Sequence, residues 1–374
     1  MNLQRFVGPV VAVVLLAAVG GGVWYSNTHL RQESADTARI QAEAAQALAV
    51  NGLIGSEKEA FFADAAVQAA LSRFHITLTV EKAGSRAIAR KFEPAKYDFG
   101  FPSGAPAAAE LKSLAKAPET YSPFYTPIVI ASWRPIALIL KANHIVEERD
   151  GIYYIVDLPA LLKMMSAHKR WKELAGSEAF ATNKAVLVNS TDVRTSNSAA
   201  MYLALASYVA NGQSVVQSQA EVDAVLPSMT ELFMRQGFQE SSSAAPFEDY
   251  LALGIGKTPM LIAYESQMVA FWLAHPDRLK DDMVMLYPVP TVYSKHVLVP
   301  FNEKGKRLGE ALERDAELQS LAHRYGFRTG GDRKGPETWA QAGIRTPPVV
   351  VDVIDPPSNE WLEKMIVVIE QKFQ

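Results

Sequence analysis

One pattern constrains what this chain can fold into: a short apolar segment, a turn of glycine or serine, then an apolar helix, repeated along the chain. The first copy is Ala47-Leu48-Ala49-Val50 followed by Gly55-Ser56-Glu57-Lys58. Ser56 and Glu59 form an S-x-x-E capping box, which predicts a helix over residues 57–74. The second copy, Ile76-Thr77-Leu78-Thr79-Val80, alternates as a half-buried strand does and reaches Gly84-Ser85-Arg86. The third, Tyr97-Asp98-Phe99-Gly100-Phe101, stops at Pro102-Ser103-Gly104. Further on, Ala185-Val186-Leu187-Val188 leads to Thr195-Ser196-Asn197-Ser198 and an alanine-rich helix through Tyr208. Met260-Leu261-Ile262-Ala263 leads into Tyr264-Glu265-Ser266 and another helix, and Val284-Met285-Leu286 ends at Tyr287-Pro288. Strands alternating with helices predict an α/β fold whose sheets are covered on both faces. In such sheets ligands bind beyond the carboxyl ends of the strands, where these Ser, Thr and Asn residues fall.

The chain's 374 residues suit two domains. Between the two groups of strands runs Pro123-Phe124-Tyr125-Thr126-Pro127 and then the apolar stretch 128–140, read as a strand passing from one domain to the other. A second passage falls at 288–301. The reading is a discontinuous first lobe, residues 47–133 plus 291–374, with a second lobe, 134–290, inserted into it. The aromatic cluster Tyr121, Phe124, Tyr125 and Trp133 is expected to pack the first passage. Near the end, the amphipathic stretch 361–373 is expected to dock on the first lobe.

Residues 6–25 form twenty residues without a charge, long enough as a helix to span about 30 Å of hydrocarbon. Trp24 and Tyr25 close the run, where amphipathic rings prefer the water–lipid interface. Arg5, the apolar core and Gly20-Gly21-Gly22 also fit a cleaved signal. A retained anchor is favoured because the run exceeds a typical signal core. Residues 1–25 are thus read as anchor or signal and 26–46 as a helical spacer. The soluble part is expected outside a bacterial inner membrane.

The ordered series of motifs resembles the type 2 periplasmic solute-binding proteins, the class that includes sulfate-, molybdate-, phosphate- and iron-binding members. The likeness rests on Gly55-Ser56-Glu57-Lys58, Gly84-Ser85, Tyr97-Asp98-Phe99-Gly100 and Thr195-Ser196-Asn197-Ser198-Ala199-Ala200-Met201-Tyr202. It continues in Glu317-Leu318-Gln319-Ser320-Leu321-Ala322 and Tyr325-Gly326-Phe327-Arg328, so it covers residues 47–330. The resemblance implies a two-lobed fold of two mixed sheets with helices on both faces, hinged at the two crossovers and preceded here by one transmembrane helix. It also implies a receptor that closes over a small polar solute, expected to be anionic, and delivers it to a membrane transporter. The alternative is a docking or sensing subunit of an envelope complex. No segment reproduces the Ser/Thr-dense loop of the phosphate-binding members, so the ligand stays open.

Composition removes several other chemistries. Cysteine is absent, which excludes disulfides, thiolate metal sites and a cysteine nucleophile. Lys and Arg number 37 against 40 Asp and Glu, so the basic footprint of a nucleic-acid binder is missing. Seven scattered histidines show no metal-ligand spacing, and no G-x-S-x-G elbow occurs. Gly254-Ile255-Gly256-Lys257-Thr258 imitates a phosphate loop, but Leu251 stands where its first glycine belongs and Pro259 follows it. Neither an enzyme, a cofactor nor a metal is expected.

The candidate ligand-binding residues are Ser56, Glu57 and Lys58 after the first strand, Ser85 and Arg86 after the second, and Ser103 after the third. Thr195, Ser196 and Asn197, then Tyr264, Glu265 and Ser266, come from the inserted part. Each serine either caps its own helix or joins the others around one ligand. Helix termini contribute ~0.3–1 kcal/mol each to an anion, whereas a micromolar complex needs about 8 kcal/mol. Hydrogen bonds must supply the rest, at ~1.5–3 kcal/mol each to a charged ligand. Lys58, Arg86 and Arg194 suit an anion, while Glu57, Asp98, Asp192 and Glu265 suit an amine or a cation. Glu265 equally suits the first turn of its own helix.

Overall fold

Alternation builds the first strands as expected. β1 (Leu48–Ile54) and β2 (Ile76–Lys82) lead the chain, and in β2 Ile76 and Leu78 are buried while Thr77 and Thr79 face out. The computed structural model describes residues 47–237, 239–280, 282–330 and 333–373. The apolar run 6–25 and the spacer 26–46 lie outside the described residues. Among the described residues, no helix is long and apolar enough to cross a membrane.

The remaining strands are β3 (Phe99–Phe101), β4 (Tyr121–Trp133), β5 (Val146–Arg149), β6 (Ile152–Ile155), β7 (Met260–Tyr264), β8 (Met283–Pro288), β9 (Thr291–Pro300), β10 (Arg328–Thr329) and β11 (Val353–Ile354). Their order is β2-β1-β3-β9-β4-β8-β6-β5, with β7 and β10 also on β4 and β11 on β9. Pairing is mixed: β1 runs parallel to β3 and β6 to β8, while β4 is antiparallel to β7, β8 and β9.

Two separate sheets were expected; the strands instead form one eleven-stranded sheet, eight on a continuous hydrogen-bonded path and three branching from it. Thirteen-residue β4 is the reason. Its first part, from Tyr121 to Pro127, pairs with β9, and its second, from Ile128 to Trp133, pairs with β7 and β8. In that second part Ile128 and Ile130 enter one apolar core while Val129 and Ala131 enter another on the opposite face. A strand buried on both faces reads as the continuous apolar run seen in the sequence. A third core, around Leu53, Ile88, Leu111 and Val299, lies under the β1–β3–β9 strands. Residues Ala49–Gln374 belong to one compact unit.

Four local expectations are corrected. The helix over 57–74 is broken: a short turn Ser56–Lys58 precedes helices Glu59–Ala63 and Ala65–Ser72. Asp64 between them is extended, accepts from Ala66 N at 2.7 Å and receives the Tyr325 hydroxyl at 2.7 Å. Asp at an N-cap outcompetes continuation of the helix. Ser56 makes no cap bond; Gly55 holds the cap position, and Glu59 pairs with Lys82 instead. Residues 185–188 form no regular strand, since only single bridges join Ala185 to Arg170 and Asn189 to Leu261. The stretch 128–140 is a strand only to Trp133, because Arg134-Pro135 opens helix Arg134–Ala142 with proline in its first turn.

The terminal helix forms over Asn359–Gln371 but does not confine itself to the first lobe. Leu362, Met365, Ile366 and Ile369 share a core with Leu203, Val222 and Val225 of the inserted part. On its polar side Glu363 and Glu370 reach Arg86.

Candidate ligand-binding cleft

β1, β2 and β3 end side by side, so the turns after them, at Gly55, Gly84 and Ser103, meet at one edge of the sheet. Against them lies the start of helix Asn197–Ala210, whose first residues are buried. Two glycines permit the close approach. A Cβ at Gly84 would stand 2.3 Å from the Thr195 carbonyl oxygen, and one at Gly104 would stand 2.1 Å from Asn197 Oδ1. Arg86 Nη1 donates to the Arg194 carbonyl at 3.2 Å across the same seam.

Asn197 is the central polar contact of that seam. Its Nδ2 lies 2.9 Å from the Ser103 carbonyl, 3.1 Å from the Tyr264 hydroxyl and 3.2 Å from Ser294 Oγ on β9. Two of these acceptors take its two hydrogens at a time. The Ser294 hydroxyl also donates to the Ser103 carbonyl. Tyr264 is fully buried, and that burial holds its phenol well above the ordinary range.

Below this seam sits an internal ion pair. Lys58 Nζ donates to Glu57 Oε1 at 2.5 Å, to Ser103 Oγ at 2.8 Å and to His296 Nδ1 at 3.1 Å. Ser103 Oγ donates to the same Glu57 oxygen. Lys58 and His296 are fully buried, and the Lys58 ammonium lies 4.8 Å over the Phe101 ring. Burial alone would raise the Glu57 carboxyl; the Lys58 ammonium, with the hydrogen bonds from Lys58 and Ser103, outweighs it and brings the group to about 2. Burial lowers Lys58, with Glu57 opposing. Burial and then the Lys58 charge push His296 well below its usual range, so its ring is neutral. Accepting from Lys58 at Nδ1 assigns the ring proton to Nε2, which has no partner among the described residues.

A cavity of about 340 Å³ opens over the Glu57 side of this cluster. Of the residues singled out in the sequence, Ser56, Glu57, Ser85, Thr195, Ser196, Asn197 and Tyr264 line it. Sequence reasoning missed Ser241, Ser242 and Ser243, which close its far wall from a loop. Three consecutive serines before a helix were the available signal.

The other five singled-out residues are placed elsewhere, each for a definite reason. Lys58 and Ser103 lie behind the wall in the buried cluster. Arg86 turns away to Glu363, Nε to Oε1 at 2.8 Å and Nη2 to Oε2 at 2.7 Å, and to Glu370 at 3.2 Å. Burial would lower this guanidinium, but the two carboxylates more than offset it. Glu265 forms a buried fork with Arg328, at 2.7 and 2.8 Å, and accepts the Tyr287 hydroxyl at 2.7 Å. Arg328 also donates to the Pro347 carbonyl at 2.8 Å, tying the C-terminal loop to the sheet. The Ser266 amide donates to Thr126 Oγ1 at 3.1 Å, which satisfies it in the core. Among the described residues no cluster of His, Asp and Glu side chains groups as a metal site.

The aromatic residues at the passage pack, as expected: Phe124 stacks on Phe327 with centroids 4.7 Å apart, and Trp133 lies 4.8 Å from Tyr250.

No protein-family model matches the chain, and no curated protein matches it in sequence. Solved structures do match. Iron-bound HitA from Pseudomonas aeruginosa aligns with a TM-score of 0.54 and 12% identity, covering 87% of this chain and 99% of that one. The periplasmic binding protein AfuA from Actinobacillus pleuropneumoniae gives 0.52 and 11%, covering 87% and 97%. An ABC transporter solute-binding protein from Thermotoga lettingae, bound with α-D-tagatose, gives 0.52 and 13%, covering 86% and 93%. The fold is that of the periplasmic solute-binding proteins. In this fold the cavity found here lies at the carboxyl ends of β1 and β2, where open α/β sheets bind ligands.

Proposed function

We propose that this chain is an extracytoplasmic solute-binding receptor, tethered by residues 6–25, that closes two lobes over a small polar ligand and presents it to a membrane transporter. The observation that carries this reading is the cavity itself. Backbone turns from β1 and β2, the start of helix Asn197–Ala210 and the 241–243 loop converge on it with hydroxyl groups rather than on a catalytic pair. Ser103, the hydroxyl held between the Glu57 carboxylate and the Lys58 ammonium, is buried behind the wall rather than presented to the cavity, which supports a binding role. The shared fold of proteins described as periplasmic or ABC-transporter binding proteins supports the same reading.

Thermal unfolding of the chain against sugars, oxyanions, amino acids and polyamines tests it. A ligand at 100 times its dissociation constant adds about 2.7 kcal/mol and raises the midpoint. A panel without any stabilising compound would overturn the receptor reading. One observation favours a second reading, a docking subunit of an envelope complex: the seam at Asn197 is already sealed by the chain's own hydrogen bonds. Silence across the panel together with co-purification of a stable partner is its expected signature.

A further inference from the structure

Resting on the receptor reading above, we propose that the cavity takes an uncharged, polyhydroxylated solute of monosaccharide size, with Glu57 Oε2 as the acceptor that anchors one ligand hydroxyl. The argument is an inventory of charge. Lys82 at the wall pairs with Glu59 at 2.8 Å. Arg86 is held by Glu363 and Glu370, and Arg194 forms a fork on Asp192 at 2.9 and 2.6 Å. Lys58 is fully buried behind Glu57 and compensates it. Lys91, exposed at the rim, makes no ion pair among the described residues, and water screens it there.

An oxyanion entering this space would lose its hydration, meet no available cation inside, and face the Glu57 carboxylate. A cationic amine would meet a carboxylate whose charge is already shared with an ammonium 2.5 Å away. A hydroxyl, which donates and accepts without a charge to compensate, suits what remains. Every hydrogen bond to the Glu57 carboxylate runs to Oε1, so Oε2 is without a partner among the described residues. The hydroxyls of Ser56, Ser241, Ser242 and Ser243 likewise make no hydrogen bond among the described residues and can turn either way. The 340 Å³ space lies at the small end of ligand cavities.

Isothermal titration of the full chain in detergent decides it, with hexoses, pentoses and linear polyols as one probe class, sulfate and molybdate as a second, and putrescine as a third. The expected result is saturable binding confined to the first class. Glu57→Gln, which exchanges an ionised acceptor for a neutral one, should weaken it about 10- to 100-fold. Circular dichroism checks that this variant is folded; if it is not, Ser56→Ala and Ser243→Ala, whose hydroxyls support nothing within the protein, should each weaken binding several-fold. Binding of sulfate, molybdate or putrescine in preference to the uncharged probes would overturn the inference and leave the receptor standing. Uncharged binding that none of these variants changes would overturn the placement at Glu57. Failure of all three classes would remove the receptor reading, and this inference with it.

Discussion

At the scale of single residues, the Glu57–Lys58–His296 cluster makes two measurable statements. Removing one partner of a buried pair leaves an uncompensated charge, so Lys58→Met should destabilise the fold by about 3–5 kcal/mol. Replacing both, Glu57→Leu with Lys58→Met, should recover most of that loss, because neither charge then needs a partner. Urea unfolding of the two singles and the double forms the cycle; additive losses would mean that the two groups do not act as a pair. The second statement concerns pH. His296 titrates far lower when folded than its unfolded value near 6.5, so the unfolded chain binds the extra proton between those limits. Stability therefore rises with pH in that window and falls by up to about 1.4 kcal/mol for each unit below pH 6.5. Glu57 works in a lower window: its carboxyl is depressed to about 2, so its contribution is complete above about 4.5 and lost only as pH falls toward 2. Across pH 4.5 to 6.5 the slope due to His296 should vanish in His296→Asn, and an unchanged slope would exclude this histidine as its source. The groups that face the ring are the Glu57–Lys58 pair and Ser103 behind it.

At the scale of elements, the C-terminal helix Asn359–Gln371 separates packing from ion pairing. Ile366 is buried in the large core, so Ile366→Ala should cost about 2–5 kcal/mol. Glu363 is partly exposed beside Arg86, and Glu370 still compensates the guanidinium, so Glu363→Gln should cost less than Ile366→Ala. Denaturant midpoints of the two variants check the order, and a reversed order would make the ion pairs, not the apolar face, the main attachment. This helix also shows where sequence reading stops. Its amphipathic period was legible, as were the alternation of β2, the burial of β4 and the small polar residues after β1, β2 and β3, because those signals lie within a few residues of one another. The partners of Arg86 and Glu265 were not, because Glu363 lies 277 positions from Arg86 and Arg328 lies 63 from Glu265. A charge that looks available to a ligand in the sequence is committed in the fold by a carboxylate or guanidinium no local pattern announces. The same blindness affected residues 57–74, where an N-capping Asp64, held by the distant Tyr325, outweighed an otherwise continuous helical pattern.

At the scale of the whole molecule, the question is what holds the two sides of the cleft together. Across the Asn197 seam the contacts are the neutral hydrogen bonds of Asn197, each worth about 0.5–1.5 kcal/mol net, one bond from the Arg86 guanidinium to the Arg194 carbonyl, and the close fit at Gly84 and Gly104. The ion pairs and apolar contacts of the C-terminal helix are made by other residues, so removing the Asn197 amide breaks none of them. Asn197→Ala should therefore shift an open–closed balance by about one factor of ten for each 1.4 kcal/mol lost, without unfolding the chain. The absence of cysteine makes this directly measurable, because two introduced thiols can be spin-labelled uniquely. Labels at Lys112→Cys on helix Ala105–Ala115 and Lys172→Cys in the segment expected as the inserted lobe, both exposed positions, report the spacing of the two expected lobes. The unliganded parent should give a narrow distance distribution, Asn197→Ala a broader one reaching longer distances, and a saturating ligand should narrow it again. Identical distributions in parent and variant would mean that Asn197 does not clasp the cleft; the long, shared strands β4 and β9 would then hold the two sides as one rigid body. In that case ligand would have to enter the cavity past the Ser241–Ser243 wall without any closing motion, and affinity would depend on how that wall packs rather than on a hinge.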